Sequence, residues 1–150
     1  MKVLVAGASG VLGAQVVPEL VAGGHDVVAM TRTPSKRDWL LGLGAEPVVA
    51  DALDPDAVAR VVGEAEPEAI VYQLSALSGA MDMRHVDRFF SMTNRLRTEA
   101  TDHLLAAGRA VGARRFVAQS YAGWPFARVG GPVKTEADPL DPDQIGRAHV

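Results

Sequence analysis

The chain has 150 residues, 48% of them hydrophobic and 22% charged, the balance of one soluble globular domain and not of a disordered chain. Its formal net charge of −3 argues against a nucleic acid or an anionic membrane as partner, since both reward a basic surface. The absence of cysteine excludes disulfides and thiolate chemistry, and no apolar run approaches the ~20 residues that cross a bilayer, so a cytoplasmic protein is expected.

In chain order, residues 2–6 form a short β-branched run that ends at Gly7. Residues 11–21 read as a helix with Val16, Val17 and Leu20 inward, and Pro18 inside it removes one donor and should bend it or force a local adjustment. Residues 25–30 form the second apolar run, followed by a polar stretch, residues 31–37, and a short helix through Trp39, Leu40 and Leu41. A third strand is expected over 46–50. Asp54-Pro55-Asp56 then reads as a helix start, an acidic cap with proline in the first turn, leading into residues 57–64. Residues 68–74 are the fourth strand. From Met83 to Ala110, Phe89, Met92, Leu96, Ala100, Leu104 and Ala107 recur at helical spacing and predict one long helix facing the sheet, the surface through which a homodimer would form. Residues 115–119 are the fifth strand, and beyond Ser120 the pattern dissolves into a loop rich in glycine and proline. This alternation predicts an α/β fold: a Rossmann-type doubly wound parallel sheet in the order 3-2-1-4-5.

The end of the chain reads differently. Ile145-Gly146-Arg147-Ala148-His149-Val150 back-translate as a string similar to a sequencing-adapter read, and a glutamine codon at Gln144 supplies the preceding bases. Residues 144–150 are therefore set apart as a tail. Residues 1–143 are expected to be the N-terminal part of a longer protein, truncated after the fifth strand.

The strongest motif is Ala6-Gly7-Ala8-Ser9-Gly10-Val11-Leu12-Gly13, which follows the first strand and opens the first helix. The first glycine permits the tight turn, the second lets backbone approach a pyrophosphate, and the third lets helix and strand pack closely. Phosphate charge then meets free amides at the positive end of the helix dipole, which points to dinucleotide binding. Cofactor choice is read at the end of the second strand, where an acid would hold the ribose hydroxyls of NAD and arginine suits the extra phosphate of NADP. Here the run is Met30-Thr31-Arg32-Thr33-Pro34-Ser35-Lys36-Arg37, with no acid until Asp38. Arg32 offers a planar fork and Lys36 or Arg37 a second positive charge, so NADP is favoured over NAD, against the plainer reading of a basic surface loop. His25, His85 and His103 have no second ligand at metal spacing and read as surface or boundary residues.

The spacing Gly-x-x-Gly-x-x-Gly in this position resembles the extended and atypical short-chain dehydrogenase/reductases, the NAD-dependent epimerase/dehydratase family, and the resemblance runs from Met1 to about Asp143. Asp51-Ala52 resembles the segment whose Asp side chain and following backbone hold the adenine. Gln73-Leu74-Ser75-Ala76 resembles the strand-four end that lines the central ribose and the nicotinamide. Asn94 and Thr98 are similar to the family's Asn-x-x-x-Thr, Gln119-Ser120 to the end of strand five, and Pro132 through Glu136 to Pro139 to the loop that follows. By this resemblance Gly7, Ser9, Gly10, Val11, Leu12, Gly13, Arg32, Lys36, Asp51, Ala52, Leu74, Ser75, Ala76 and Asn94 are cofactor-binding candidates. Each has a plainer reading too: Asp51 as a turn cap, Asn94 as a solvated helix residue, Ser75 and Ser120 as strand-end hydroxyls. The family's Tyr-x-x-x-Lys pair is not present, because Ala76 stands four residues after Tyr72 and Pro125 four after Tyr121. Either the pair lies beyond the chain or the parent has lost it. Aligned on Phe116-Val117, the catalytic serine position falls on Tyr121, with Ser120 one residue earlier, so both are catalytic candidates. The resemblance implies an NAD(P)-dependent oxidoreductase, epimerase or dehydratase acting on a sugar nucleotide or small carbonyl compound. The competing reading is a non-catalytic, redox-sensing dinucleotide-binding protein.

Overall fold

The computed structural model describes residues 1–77, 86–119, 126–127, 129–135 and 137–139, with side chains for all of these except 86–89. Among these residues five strands and five α-helices follow in the order β1 (Lys2–Ala6), α1 (Gly13–Ala22), β2 (Asp26–Thr31), α2 (Arg37–Gly42), β3 (Glu46–Val49), α3 (Pro55–Ala65), β4 (Ala69–Tyr72), α4 (Val86–Arg95), α5 (Thr101–Ala110) and β5 (Arg115–Ala118). A 3₁₀ turn at Pro34–Lys36 precedes α2.

All strand pairs are parallel, in the order β3-β2-β1-β4-β5. The first strand is therefore central, with Val5 facing Ala29 on one side and Val71 on the other. Strands with apolar residues on both faces require cover on both, which is why β1 and β2 read as almost unbroken aliphatic runs. One layer packs Leu4, Val28 and Ile70 against Val58, Val62, Leu96, Ala100 and Leu104 of the helices on that side. The other packs Val3, Val5, Val27 and Ala29 against Val17 and Leu40. With few aromatics, this core is made from aliphatic side chains.

Local chemistry explains the element ends. Asp54 caps α3, its Oδ1 accepting from the amides of Asp56 and Ala57 at 3.0 and 3.1 Å, with Pro55 in the first turn as expected. α1 runs through Pro18 to Ala22 without ending there. At the amino edge of the sheet, the Glu68 carboxylate accepts from the Lys2 amide at 3.0 Å and pairs with Arg114 at 2.5 Å. These contacts hold its carboxyl below the ordinary glutamate value, chiefly through the Lys2 hydrogen bond and then Arg114.

The expected long helix is helical throughout 86–110, but it does not keep one pitch. Between α4 and α5, Leu96–Ala100 form a π turn, and the helical ladder changes pitch there. Two hydroxyls serve the carbonyls around that break: Thr98 Oγ1 donates to Asn94 O at 3.0 Å and Tyr72 Oη to Leu96 O at 2.5 Å. Leu96, Ala100, Leu104 and Ala107 are buried as the periodicity predicts, but Met92 is 37% exposed and Thr93 beside it is fully buried. The reason is chemical. At this level the helix faces backbone beyond the end of β4, and Thr93 Oγ1 accepts from the Ala76 amide at 3.1 Å, which a methionine could not do as well.

The chain divides into two compact units, Met1–Ala118 and Gln119–Val150. Within the second, the Ala127 amide donates to Pro139 O at 2.8 Å. The Asp138 carboxylate there accepts from both the amide and the hydroxyl of Thr135, at 2.8 and 3.1 Å. Glu136, expected in this loop, lies outside the described residues, as do residues 144–150 and the side chain of Phe89.

Candidate functional site

In a parallel sheet the carboxyl ends of the strands gather the loops that bind ligands. Here the glycine turn after β1, the segment after β2, the turn after β3 and the segment after β4 all stand at that edge.

The glycine turn is built by backbone contact. Gly7 has φ +87°, and a Cβ on it would lie 2.6 Å from Gln73 O in the segment after β4. A Cβ on Gly13 would lie 2.7 Å from Ala8 Cα and closer still to the Gly7 carbonyl. The amides of Gly7 and Ala8 both donate to Met30 O at 3.2 Å, so the turn is tied to the end of β2. Ser9 Oγ lies 2.8 Å from Thr31 Oγ1, which also accepts from the Thr33 amide at 3.2 Å. Thr31 is buried and was not among the expected site residues. A hydroxyl at a strand end gives no sequence signal beyond turn propensity.

At the start of α1 the amides of Ala14 and Gln15 donate to the Gly10 and Leu12 carbonyls at 2.9 and 3.0 Å, and among the described residues those of Val11, Leu12 and Gly13 have no such partner. Leu12 stands at the N-cap position with no side-chain hydrogen bond, and there is no acid in the first turn. Val11 is 89% exposed and Leu12 is also exposed, so apolar side chains stand in solvent around a positive helix end. Such an end is suited to an anion flanked by less polar groups.

Beyond β2, Arg32 is exposed and makes no ion pair among the described residues. Lys36 Nζ sits 5.4 Å from the centroid of the Trp39 ring, so its charge is held over the indole face. Arg32 has no such engagement, and Arg37 at the start of α2 is likewise exposed without an ion pair among the described residues.

After β3, Asp51 does cap a turn, its Oδ1 accepting from Leu53 N at 3.0 Å while its carbonyl accepts from Asp54 N at 3.1 Å. It is nevertheless exposed, at the carboxyl edge. Ala52 beside it is buried, and its carbonyl meets His103 Nδ1 at 3.0 Å.

After β4, the Gln73 amide donates to Ala6 O at 2.8 Å, extending the β1–β4 pairing toward Leu74, Ser75 and Ala76. Ser75 is exposed, and Thr93 holds the amide of Ala76. Gln73, whose backbone carbonyl backs the glycine turn, has its side-chain Oε1 buried without a hydrogen-bond partner. Asn94 is half-buried, with its carbonyl taken by Thr98 as described above.

Tyr72 is no acid–base group. Burial is the chief cause pushing its hydroxyl above the ordinary tyrosine value, against the Thr101 hydrogen bond and the Arg97 charge, so it stays neutral and donates to Leu96 O. The two catalytic candidates, Ser120 and Tyr121, lie outside the described residues, as do Trp124 and His85. Among the described residues no three His, Asp or Glu side chains gather as a metal site, and no helix is long and apolar enough to cross a membrane.

Comparison with known proteins agrees with this geometry. A family described as NAD(P)H-binding matches residues 7–148. A 3-diazoavenalumate denitrifying reductase from a Streptomyces species is 48% identical over 140 residues, covering 93% of this chain and 44% of that protein. Among solved structures, a UDP-glucose 4-epimerase from Thermotoga maritima with UDP-glucose superimposes with a TM-score of 0.77 at 20% identity, covering 94% of this chain and 45% of that one. The UDP-glucose 4-epimerase of Thermus thermophilus in complex with NAD gives a TM-score of 0.74 at 25% identity, covering 94% and 44%. The chain thus spans less than half the length of each of these relatives, and the sheet it shares with the epimerases is the Rossmann-type sheet of the extended short-chain dehydrogenase/reductases.

Proposed function

The chain belongs to the NAD(P)H-binding family, and from that premise we propose that it is the dinucleotide-binding part of an NADP-preferring reductase of a small electrophilic substrate. The observation that carries this reading is the glycine turn. It has a positive-φ glycine pressed against the β4 segment, an uncapped helix end, and exposed apolar residues where a pyrophosphate and its riboses would lie.

Each loop has a role. The amides of Val11, Leu12 and Gly13, which the turn leaves without a backbone acceptor, hold the pyrophosphate. Arg32 takes the extra phosphate of NADP by a charge-assisted fork, with Lys36 released from Trp39 as a second cation. Asp51 and the backbone of Ala52 receive the adenine, while Leu74, Ser75 and Ala76 line the nicotinamide end, kept in place by Thr93. When bound, the reduced nicotinamide supplies a hydride to the substrate. The printed activity of the 48%-identical relative favours reduction of a small molecule over epimerisation of a sugar nucleotide, which the more distant solved structures suggest. Ser120 and Tyr121 remain the proposed residues at the reacting end.

The test uses the full-length protein. NADPH and NADH binding are measured by calorimetry, then loss of reduced-nicotinamide absorbance is followed with a diazo arene, a small aldehyde and UDP-glucose. Tighter binding of NADPH, with consumption in the presence of the diazo arene or the aldehyde, is the expected result. Interconversion of UDP-glucose without net consumption of NADPH points to an epimerase. Cofactor binding without any turnover points to a redox sensor.

A further inference from the structure

We propose that His103 is a positioning residue for the adenine end of the dinucleotide site, acting through the turn that carries Asp51; the inference rests on the cofactor reading above. The bonds inside that turn are local. The Asp51 carboxylate and carbonyl accept from Leu53 N and Asp54 N, which shape the turn but do not place it against the rest of the fold. Two longer-range ties place it. The Ala50 amide donates to Thr31 O at 3.1 Å, at the strand end, and His103 Nδ1 meets Ala52 O at 3.0 Å, from α5, 51 residues away in sequence. A carbonyl only accepts, so the proton of the His103 ring sits on Nδ1.

The placement gives this contact its consequence. Ala52 is buried at the point where α3 begins, α3 and α5 pack on one layer, and Asp51 next to it is exposed at the carboxyl edge. The turn therefore has a buried side, gripped by α5, and an open side that presents the carboxylate. Arg95 and Glu99 on the same helical run are paired at 2.8 Å; the Glu99 hydrogen bond is the chief cause that favours the charged form of Arg95, and the Asp51 charge adds the least to it. Loss of the His103 donor leaves the Ala52 carbonyl unpaired in a half-buried place and frees the turn to shift, and with it the carboxylate.

The experiment compares His103→Leu, which removes the donor, with His103→Asn, whose side-chain amide nitrogen sits on Cγ as Nδ1 does. In the full-length protein, calorimetry measures NADPH, ADP-ribose, which carries the adenine half, and reduced nicotinamide mononucleotide, which lacks it. His103→Leu is expected to weaken NADPH and ADP-ribose by the same factor, about 3- to 10-fold for one lost hydrogen bond. Binding of the mononucleotide should be unchanged, and His103→Asn should restore the wild-type values. Unchanged ADP-ribose affinity in His103→Leu, equal weakening of the mononucleotide, or failure of His103→Asn to rescue each overturns the assignment. Failure of the wild-type protein to bind either NADPH or NADH instead overturns the cofactor reading.

Discussion

The two edges of the sheet are built from the same strands and are finished in opposite ways. At the amino edge the charged groups close on one another, although His25 Nδ1 just before β2 is buried without a partner: one carboxylate, Glu68, ties the start of β1 to the segment before β5 through Lys2 N and Arg114. At the carboxyl edge, groups are left over. The start of α1 is uncapped, Arg32 makes no ion pair among the described residues, and Gln73 Oε1 is buried without a partner. The comparison teaches where binding free energy is kept in reserve. The Glu68 contacts contribute to stability alone, and an uncapped helix end beside an unpaired cation gives up some stability for ligand contacts.

The largest effect expected from breaking this contrast is at Gly7. A Cβ there meets backbone that cannot swing away, in a positive-φ conformation that costs an L-residue about 1–2 kcal/mol by itself. Gly7→Ala is expected to lower stability in denaturant unfolding by about 3 kcal/mol in all and to abolish dinucleotide binding. A variant that keeps wild-type stability would show that the turn can open, and that close backbone approach does not shape the site.

Next is Arg32→Glu, which acts on the ligand and not on the fold. Loss of a charge-assisted bond and gain of a repelling charge should raise the Kd for NADPH by about 10- to 100-fold, leaving NADH and the melting temperature nearly unchanged. Equal loss for both cofactors, in titrations at one fixed salt concentration, would remove Arg32 from the phosphate site.

A smaller effect is expected at Tyr72, which stands at the open edge but bonds inward. Tyr72→Phe leaves the Leu96 carbonyl of the π turn without its donor, a cost of about 1–2 kcal/mol measured by thermal or denaturant unfolding. Cofactor affinity should hardly move. A tenfold loss of affinity would make the π turn part of the site.

The smallest is at the closed edge. The Glu68 carboxyl is held below its ordinary value of 4.5 in the folded chain, so its contribution to stability is present above that pH and lost as pH falls through the lower, folded value. Stability curves of wild type and Glu68→Gln should differ at neutral pH and converge in acid. Because the carboxylate is exposed, the difference is small. Curves that run parallel down to strongly acidic pH would show that the Glu68 charge does not tie the strands.

The sequence by itself determined the alternation of strands and helices, the parallel order, the aliphatic core and the glycine turn. These follow from short-range physics: periods of burial along the chain, a capping aspartate at Asp54, and glycines where a side chain cannot fit. Asp51 and Arg32 were legible for the same reason, because a strand end in a βαβ pattern fixes the edge at which they must stand. Only the tertiary structure decided how those loops are held. Thr31 on Ser9, Thr93 on the Ala76 amide, Tyr72 on the π turn and His103 on the Ala52 carbonyl join residues 17 to 51 positions apart. The choice of Met92 over Thr93 as the inward residue failed on the same ground: helical spacing gives an angle, but not what the neighbouring element presents at that level. A hydroxyl or an imidazole has no period, and its partner is chosen by which backbone group the packed fold leaves unpaired.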